Sequence, residues 1–143
     1  METRKEEYDY TSRFHRISKT TFYRPLLDVD VSAESGPETF SALIDSGTEV
    51  TIMSSEIAQL IGISPVGKKS GTVSGFGDKK GFVAEVRIIV PEFPSEVVTT
   101  NVVFVDGVSS DFPFDILLGQ EDFFRRFTIR FEKHRNKFFL SFP

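Results

Sequence analysis

The run Ser41-Ala42-Leu43-Ile44-Asp45-Ser46-Gly47-Thr48 sets one carboxylate at the end of an apolar stretch, followed by a hydroxyl and a glycine. Neighbours that donate hydrogen bonds hold a carboxylate at a turn, a setting suited to general acid/base work. Chemistry done by carboxylates alone needs two of them facing each other, so that one holds a proton while the other does not. The pattern occurs once in the 143 residues. Taken by itself, Asp45-Ser46-Gly47 also fits an ordinary β-turn, since all three are turn-forming residues.

Other chemistries have less to work with. The absence of cysteine removes disulfides, thiolate catalysis and cysteine-based zinc sites together, and suits a reducing compartment. Only His15 and His134 could serve a catalytic serine as base, and both sit in arginine-flanked polar stretches. The segment Leu26-Leu27-Asp28-Val29-Asp30-Val31-Ser32 imitates the Asp-x-Asp motif of haloacid-dehalogenase-like phosphatases, in which one carboxylate is the nucleophile and both help hold magnesium. That chemistry needs a doubly wound α/β core with a helix after the strand. Here a Gly36-Pro37 turn follows instead.

The elements that must position Asp45 read as strands. Leu27, Val29 and Val31 alternate with Asp28, Asp30 and Ser32, the period of a half-buried strand. The turn cluster 33–38 returns the chain through Phe40 to Ile44, which makes a hairpin ending on Asp45. Ser54 and Ser55 before Glu56 predict a helix start, Ile57, Leu60 and Ile61 keep helical spacing, and Gly62 closes the helix. The glycine-rich segment 71–81 leads into a strand over 82–90 and predicts a long hairpin with its tip near residues 77–80. Further strands are expected over 97–105 and 114–119, a short helix over 120–127, and a final pair over 127–131 and 138–142. Residues 1–20 are polar and read as a mobile arm, with a short edge strand around Phe14 as the alternative. Residues 21–143 form the folded domain. The absence of a βαβ rhythm points to a mainly β, closed barrel-like fold with one or two short helices.

Composition narrows the function classes. The net charge of −4 argues against nucleic acid, which favours a basic face. Sixteen phenylalanines without tryptophan suit a core or an interface. The first residues carry no apolar segment of a secretory signal, and no apolar run approaches the ~20 residues of a membrane span. A soluble, cytoplasmic domain without a membrane partner is expected.

Three features recur in order: the strand Ala42-Leu43-Ile44 delivering an acid, a glycine-rich hairpin about 30 residues later, and Ile116-Leu117-Leu118-Gly119 running into a short helix. On these the chain resembles the retropepsin-like (retroviral-type) aspartic proteases over residues 22–142, and looks closest to their stand-alone bacterial and cellular relatives. The resemblance implies one lobe per chain and a homodimer in which Asp45 and its symmetry mate share one proton at the floor of a common cleft. It implies a hydrolase acting on a polypeptide substrate, with Asp45 catalytic and no metal or cofactor. Ser46 would bond across the dyad, Gly47 would let the substrate backbone pass, and Leu117, Leu118 and Gly119 would support the loop. Thr48 and Glu49 would contact the substrate main chain, and Gly75, Phe76 and Gly77 would belong to a flap closing over it. The last strand would pair with its counterpart in the partner, or else lie within one chain's core. Retroviral relatives usually carry an arginine after the second glycine, where this chain has Gln120. The other reading of the same fold is a catalytically silent dimer kept for binding.

Overall fold

The computed structural model describes residues 4–15, 18–73, 79–106 and 115–142. Its centre is a ring of strands: β4 (Leu26–Ser32), β5 (Glu38–Ile44), β10 (Ile116–Leu118), β6 (Ile52–Ser54), β9 (Val97–Val105) and β8 (Lys79–Ile89). A β4–β8 pairing, from Asp30↔Ile89 to Ser32↔Arg87, closes the ring into a barrel of six strands. β7 (Lys69–Val73) adds to the outer edge of β8. Closure leaves no edge unpaired around the ring, which is how small all-β folds avoid strand-edge association.

The expected β4–β5 hairpin is present, with Leu26↔Leu43 to Val31↔Glu38 in register. Its alternation works as the sequence suggests: Val29 and Val31 are fully buried while Asp28 faces solvent. Asp28 and Asp30 thus lie on a hairpin strand of a closed barrel, and Asp30 is engaged by the Thr39 hydroxyl at 2.6 Å. The doubly wound core that phosphatase chemistry requires is not the architecture of this chain. The one α-helix among the described residues, α1 (Ser55–Leu60), starts where predicted: the Ser54 side chain caps it by accepting the Glu56 N–H. Ile57 and Ala58 turn into the core.

Two expectations need correction. In place of a mobile arm the polar segment 1–20 carries strands, one of them the alternative around Phe14: β1 (Lys5–Asp9) pairs antiparallel with β12 (Lys137–Ser141), and β2 (Thr11–His15) forms a separate hairpin with β3 (Thr20–Arg24). The apolar signal is hidden because tyrosines supply it among charges. Tyr8 stacks on Phe138 at 5.0 Å between ring centroids and Tyr10 packs on the same ring at 6.0 Å. The neighbours Lys5, Glu7 and Asp9 point outward. The second correction concerns the last strand. β12 lies between β1 and β11 (Thr128–Glu132), so both of its edges are taken within one chain. Phe138 and Leu140 are fully buried. Of the two sequence readings, the strand inside one chain's core is the one the structure shows.

The phenylalanines explain how this terminal sheet joins the barrel. Phe123 and Phe127 lie 4.9 Å apart, Phe93 meets Phe127 edge-on at 5.4 Å, and Phe93 meets Phe142 at 5.6 Å. Edge-to-face aromatic pairs of this kind add about 0.5–1.5 kcal/mol beyond their buried area. The segment after β10, expected as a helix, is a π-helical turn over Gln120–Phe124 that buries Phe123.

Candidate active site

Asp45 follows β5 directly, where the barrel strands β5 and β10 run parallel from Ile116↔Ala42 to Leu118↔Ile44. β6 runs antiparallel on the other side of β10. Side chains on these short strands are buried on both faces, which is why Ile52-Met53 and Ile116-Leu117-Leu118 read as continuous apolar runs. Ala42, Ile44, Met53, Ile116 and Leu118 point into the main core. Leu117 and Ile52 point the other way, into a second small cluster with Leu26, Val73 and Val105, against which Leu43 and Val103 pack. The strand that delivers the acid is thereby fixed from both sides.

The backbone then locks the loop. The Asp45 N–H donates to the Leu118 carbonyl at 3.1 Å, and the Ile44 N–H donates to the Pro25 carbonyl at 3.2 Å. The Gly47 N–H donates to Asp45 Oδ1 at 2.8 Å, so the carboxylate is held by the glycine two residues on. A Cβ on Gly47 would lie 3.1 Å from that same oxygen. Thr48 donates its hydroxyl to the Val50 carbonyl at 2.8 Å, which bends the chain back toward β6. Asp45 is half-buried, while Ser46, Gly47 and Glu49 are exposed. The Glu49 side chain makes no hydrogen bond or ion pair among the described residues.

Leu117, Leu118 and Gly119 lie next to this loop. The Gln120 and Glu121 N–H groups donate to the Thr48 and Glu49 carbonyls at 3.0 and 2.7 Å. Gly119 is where the two segments come closest: a Cβ there would lie 2.5 Å from the Val50 carbonyl carbon and 2.8 Å from the Glu49 oxygen. Only glycine fits that approach. At Gln120, the side-chain amide donates to the Ser46 carbonyl. A neutral hydrogen bond to the loop thus stands directly after Gly119.

Sequence reasoning missed the polar group under the loop. Thr51 is fully buried, and its hydroxyl accepts the Gly119 N–H at 3.1 Å and donates to Asp122 Oδ1 at 2.6 Å. The other Asp122 oxygen takes the Thr51 N–H at 3.2 Å and the Thr100 hydroxyl at 3.3 Å. The Phe123 N–H donates to Oδ1 at 2.7 Å. Asp122 therefore ties the loop, the π-helical turn and β9 to one carboxylate. The available signal was the placement of an acid three residues after Gly119, in a stretch that reads as an ordinary helical first turn.

The glycine-rich hairpin is present as strands: β7 and β8 pair from Lys69↔Val83 to Val73↔Lys79. Lys79 and Lys80, expected at the tip, are paired strand residues; Gly75, Phe76 and Gly77 lie outside the described residues. Elsewhere, Asp115 leads into β10, and burial, with the nearby Glu56 charge second, pushes its carboxyl above the usual range. Among the described residues no group of three or more His, Cys, Asp or Glu side chains gathers as a metal site, and no helix is long and apolar enough to cross a membrane.

No family model matches the chain, and no curated protein matches it in sequence. In structure it is similar to a crystal structure of a retropepsin-like aspartic protease from Rickettsia conorii. The TM-score is 0.58 at 15% identity, over 99% of this chain and 95% of that one. The mainly β closed barrel, with its acid-bearing strand end braced by a parallel neighbour, is a retropepsin-like fold.

Proposed function

We propose that this chain is an aspartic endopeptidase whose active site is completed by a second copy. The observation that carries the reading is Asp45 itself: a single half-buried carboxylate held by the Gly47 N–H on a loop that is braced from below and open on its outer side. One carboxylate can act as a base but cannot also hold the proton that polarises a carbonyl. A second Asp45 supplies that proton, because like charges so close cannot both ionise. The dyad then titrates as a pair. The ionised member takes a proton from water, the water oxygen attacks the scissile carbonyl, and the protonated member donates to the carbonyl oxygen. The first aspartate passes the proton it took from water to the amide nitrogen, a diol hydroxyl returns a proton to the second, and the C–N bond breaks to release the amine and a carboxylic acid, leaving one proton on the dyad.

In this reading Ser46, exposed beside Asp45, bonds into the partner's loop, and Thr48 and Glu49 flank the bound peptide. The hairpin of β7 and β8 closes over it, and Gly75, Phe76 and Gly77 belong to that lid. Leu43 and Val103, half-buried against the second cluster, offer apolar surface on this side of the barrel, so apolar peptide side chains suit it. No metal or cofactor enters the mechanism, and a cytoplasmic setting suits a chain without cysteine. Asp45→Asn tests the reading. It should retain fold and self-association while abolishing cleavage, and a statine-type mimic should inhibit the unmodified chain. Cleavage by the variant at the normal rate would refute the role of Asp45. A chain that binds peptides without any turnover would instead favour the binding-module reading.

A further inference from the structure

The β2–β3 hairpin is not used by the chemistry above, and it has the features of a contact surface. It forms its own two-stranded sheet, and among the described residues neither edge pairs with another strand. A lone hairpin is marginal in water, and within the chain the Lys133 ammonium helps hold it by donating to the Tyr23 carbonyl at 3.0 Å. The register Ser12↔Tyr23 and Phe14↔Thr21 puts these residues on one face. That face is exposed, with Phe14 at 60% and Tyr23 at 46% of full accessibility. Scattered exposed apolar residues are ordinary, but two aromatics sharing the outer face of an unpaired hairpin are the composition of an interface.

Its position and charge indicate the occupant. β3 runs through Pro25 into β4, and the Pro25 carbonyl takes the Ile44 N–H, directly before Asp45. The base of the hairpin is therefore beside the site loop. Segment 11–24 contains Arg13, Arg16, Lys19 and Arg24 and no acidic residue, a charge of +4 within a chain of −4, which leaves −8 on the rest. The site loop carries Asp45 and Glu49, neither in an ion pair among the described residues, and Val50, 40% exposed. The terminal sheet leaves the outer edges of β1 and β11 without a strand among the described residues, and Phe131 40% exposed, but its charges are largely paired within the chain. Both edges of β12 are taken, Lys137 pairs with Asp9 and Glu7, and Glu132 pairs with Arg130 and Arg135.

We propose that the β2–β3 hairpin is the docking arm for a second copy of this chain, set against the partner's Asp45–Val50 loop. The contact is isologous: each hairpin meets the other copy's loop, so one two-fold axis makes both contacts and brings the two loops together. The opposite charges steer and orient the encounter, and the aromatic face supplies the burial. The proposal rests on the reading of Asp45 as half of a dyad.

Sedimentation velocity over a dilution series tests it with the full chain, comparing Phe14→Ser/Tyr23→Ser with a control, Leu60→Ser/Val66→Ser, at exposed apolar positions elsewhere. Thermal melts confirm that both remain folded. The hairpin variant should raise the dimer Kd by about tenfold or more, and the control should leave it unchanged. Raising salt from ~50 to ~300 mM should weaken the unmodified dimer, because the Debye length shortens. An unchanged Kd in a cleaving, dimeric hairpin variant overturns the docking role and leaves the peptidase reading intact. An unmodified chain that stays monomeric throughout and never cleaves overturns both.

Discussion

Replacing Thr51 with valine should be among the most damaging isosteric changes in this chain. Valine fills the same space, so no cavity opens and the effect isolates the hydroxyl. Two bonds are lost: the one Thr51 donates to Asp122 at 2.6 Å and the one it accepts from the Gly119 N–H at 3.1 Å. The first is charge-assisted and contributes about 1.5–3 kcal/mol. The second leaves a buried N–H without a partner, a penalty of about 1–3 kcal/mol. Asp122 keeps the Thr51 and Phe123 N–H groups and the Thr100 hydroxyl, which limits the total. We expect about 3 kcal/mol, or a fall in Tm of roughly 10 °C for a chain of this length. Urea melts should give that loss with an unchanged m-value. In a double-mutant cycle with Asp122→Ala, the pair should show a coupling of at least ~1 kcal/mol. A Thr51→Val variant within ~0.5 kcal/mol of the unmodified protein, or a coupling near zero, would refute the role given to this group.

Gly119→Ala forces a methyl group against the Val50 carbonyl, 2.5 Å from its carbon, and should destabilise the fold by about 1–3 kcal/mol. Because the displaced segment is the site loop, peptidase activity should fall further than stability, by about a hundredfold for a shift near 1 Å; an activity loss explained by unfolding alone would argue against that link. Asp115→Asn should raise Tm at pH 7. Burial raises the folded-state pKa of Asp115, so the folded protein binds the proton more tightly and loses stability as pH rises from about 4, the unfolded value, until the group ionises. The advantage of the variant should shrink to a small fraction near pH 3, where the carboxyl is mostly protonated in both folded and unfolded chains; the same Tm difference at both pH values would contradict this assignment.

Much of the barrel was legible because its strands obey simple periods. Leu27, Val29 and Val31 announce β4, and the capping serine before Glu56 announces α1. The loop carrying Asp45 was legible for a different reason: the runs Asp45-Ser46-Gly47 and Leu117-Leu118-Gly119 stand out as motifs, and at Gly119 the backbone does come too close for a side chain. What was hidden depends on partners distant in sequence. β1 looks like a charged tail until Phe138 is placed under Tyr8, some 130 residues away. Asp122 looks like a helix-start acid until Thr51 and Thr100 converge on it. The fate of β12 could not be read from its own residues either, since a Phe-rich strand serves an interface or a core equally well; the pairing with β1 on one edge and β11 on the other decided it.

The central claim is that two copies of Asp45 make one active site, and mixing tests it most directly. A fixed amount of the unmodified chain is titrated with Asp45→Asn after the subunits have exchanged, and peptide cleavage is followed. If each site needs an aspartate from both copies, random mixed dimers are inactive. Activity should then fall to about half at an equal amount of variant and to about a quarter at a threefold excess. Activity that stays constant at every ratio, or an unmodified chain that cleaves nothing at any concentration, would contradict it.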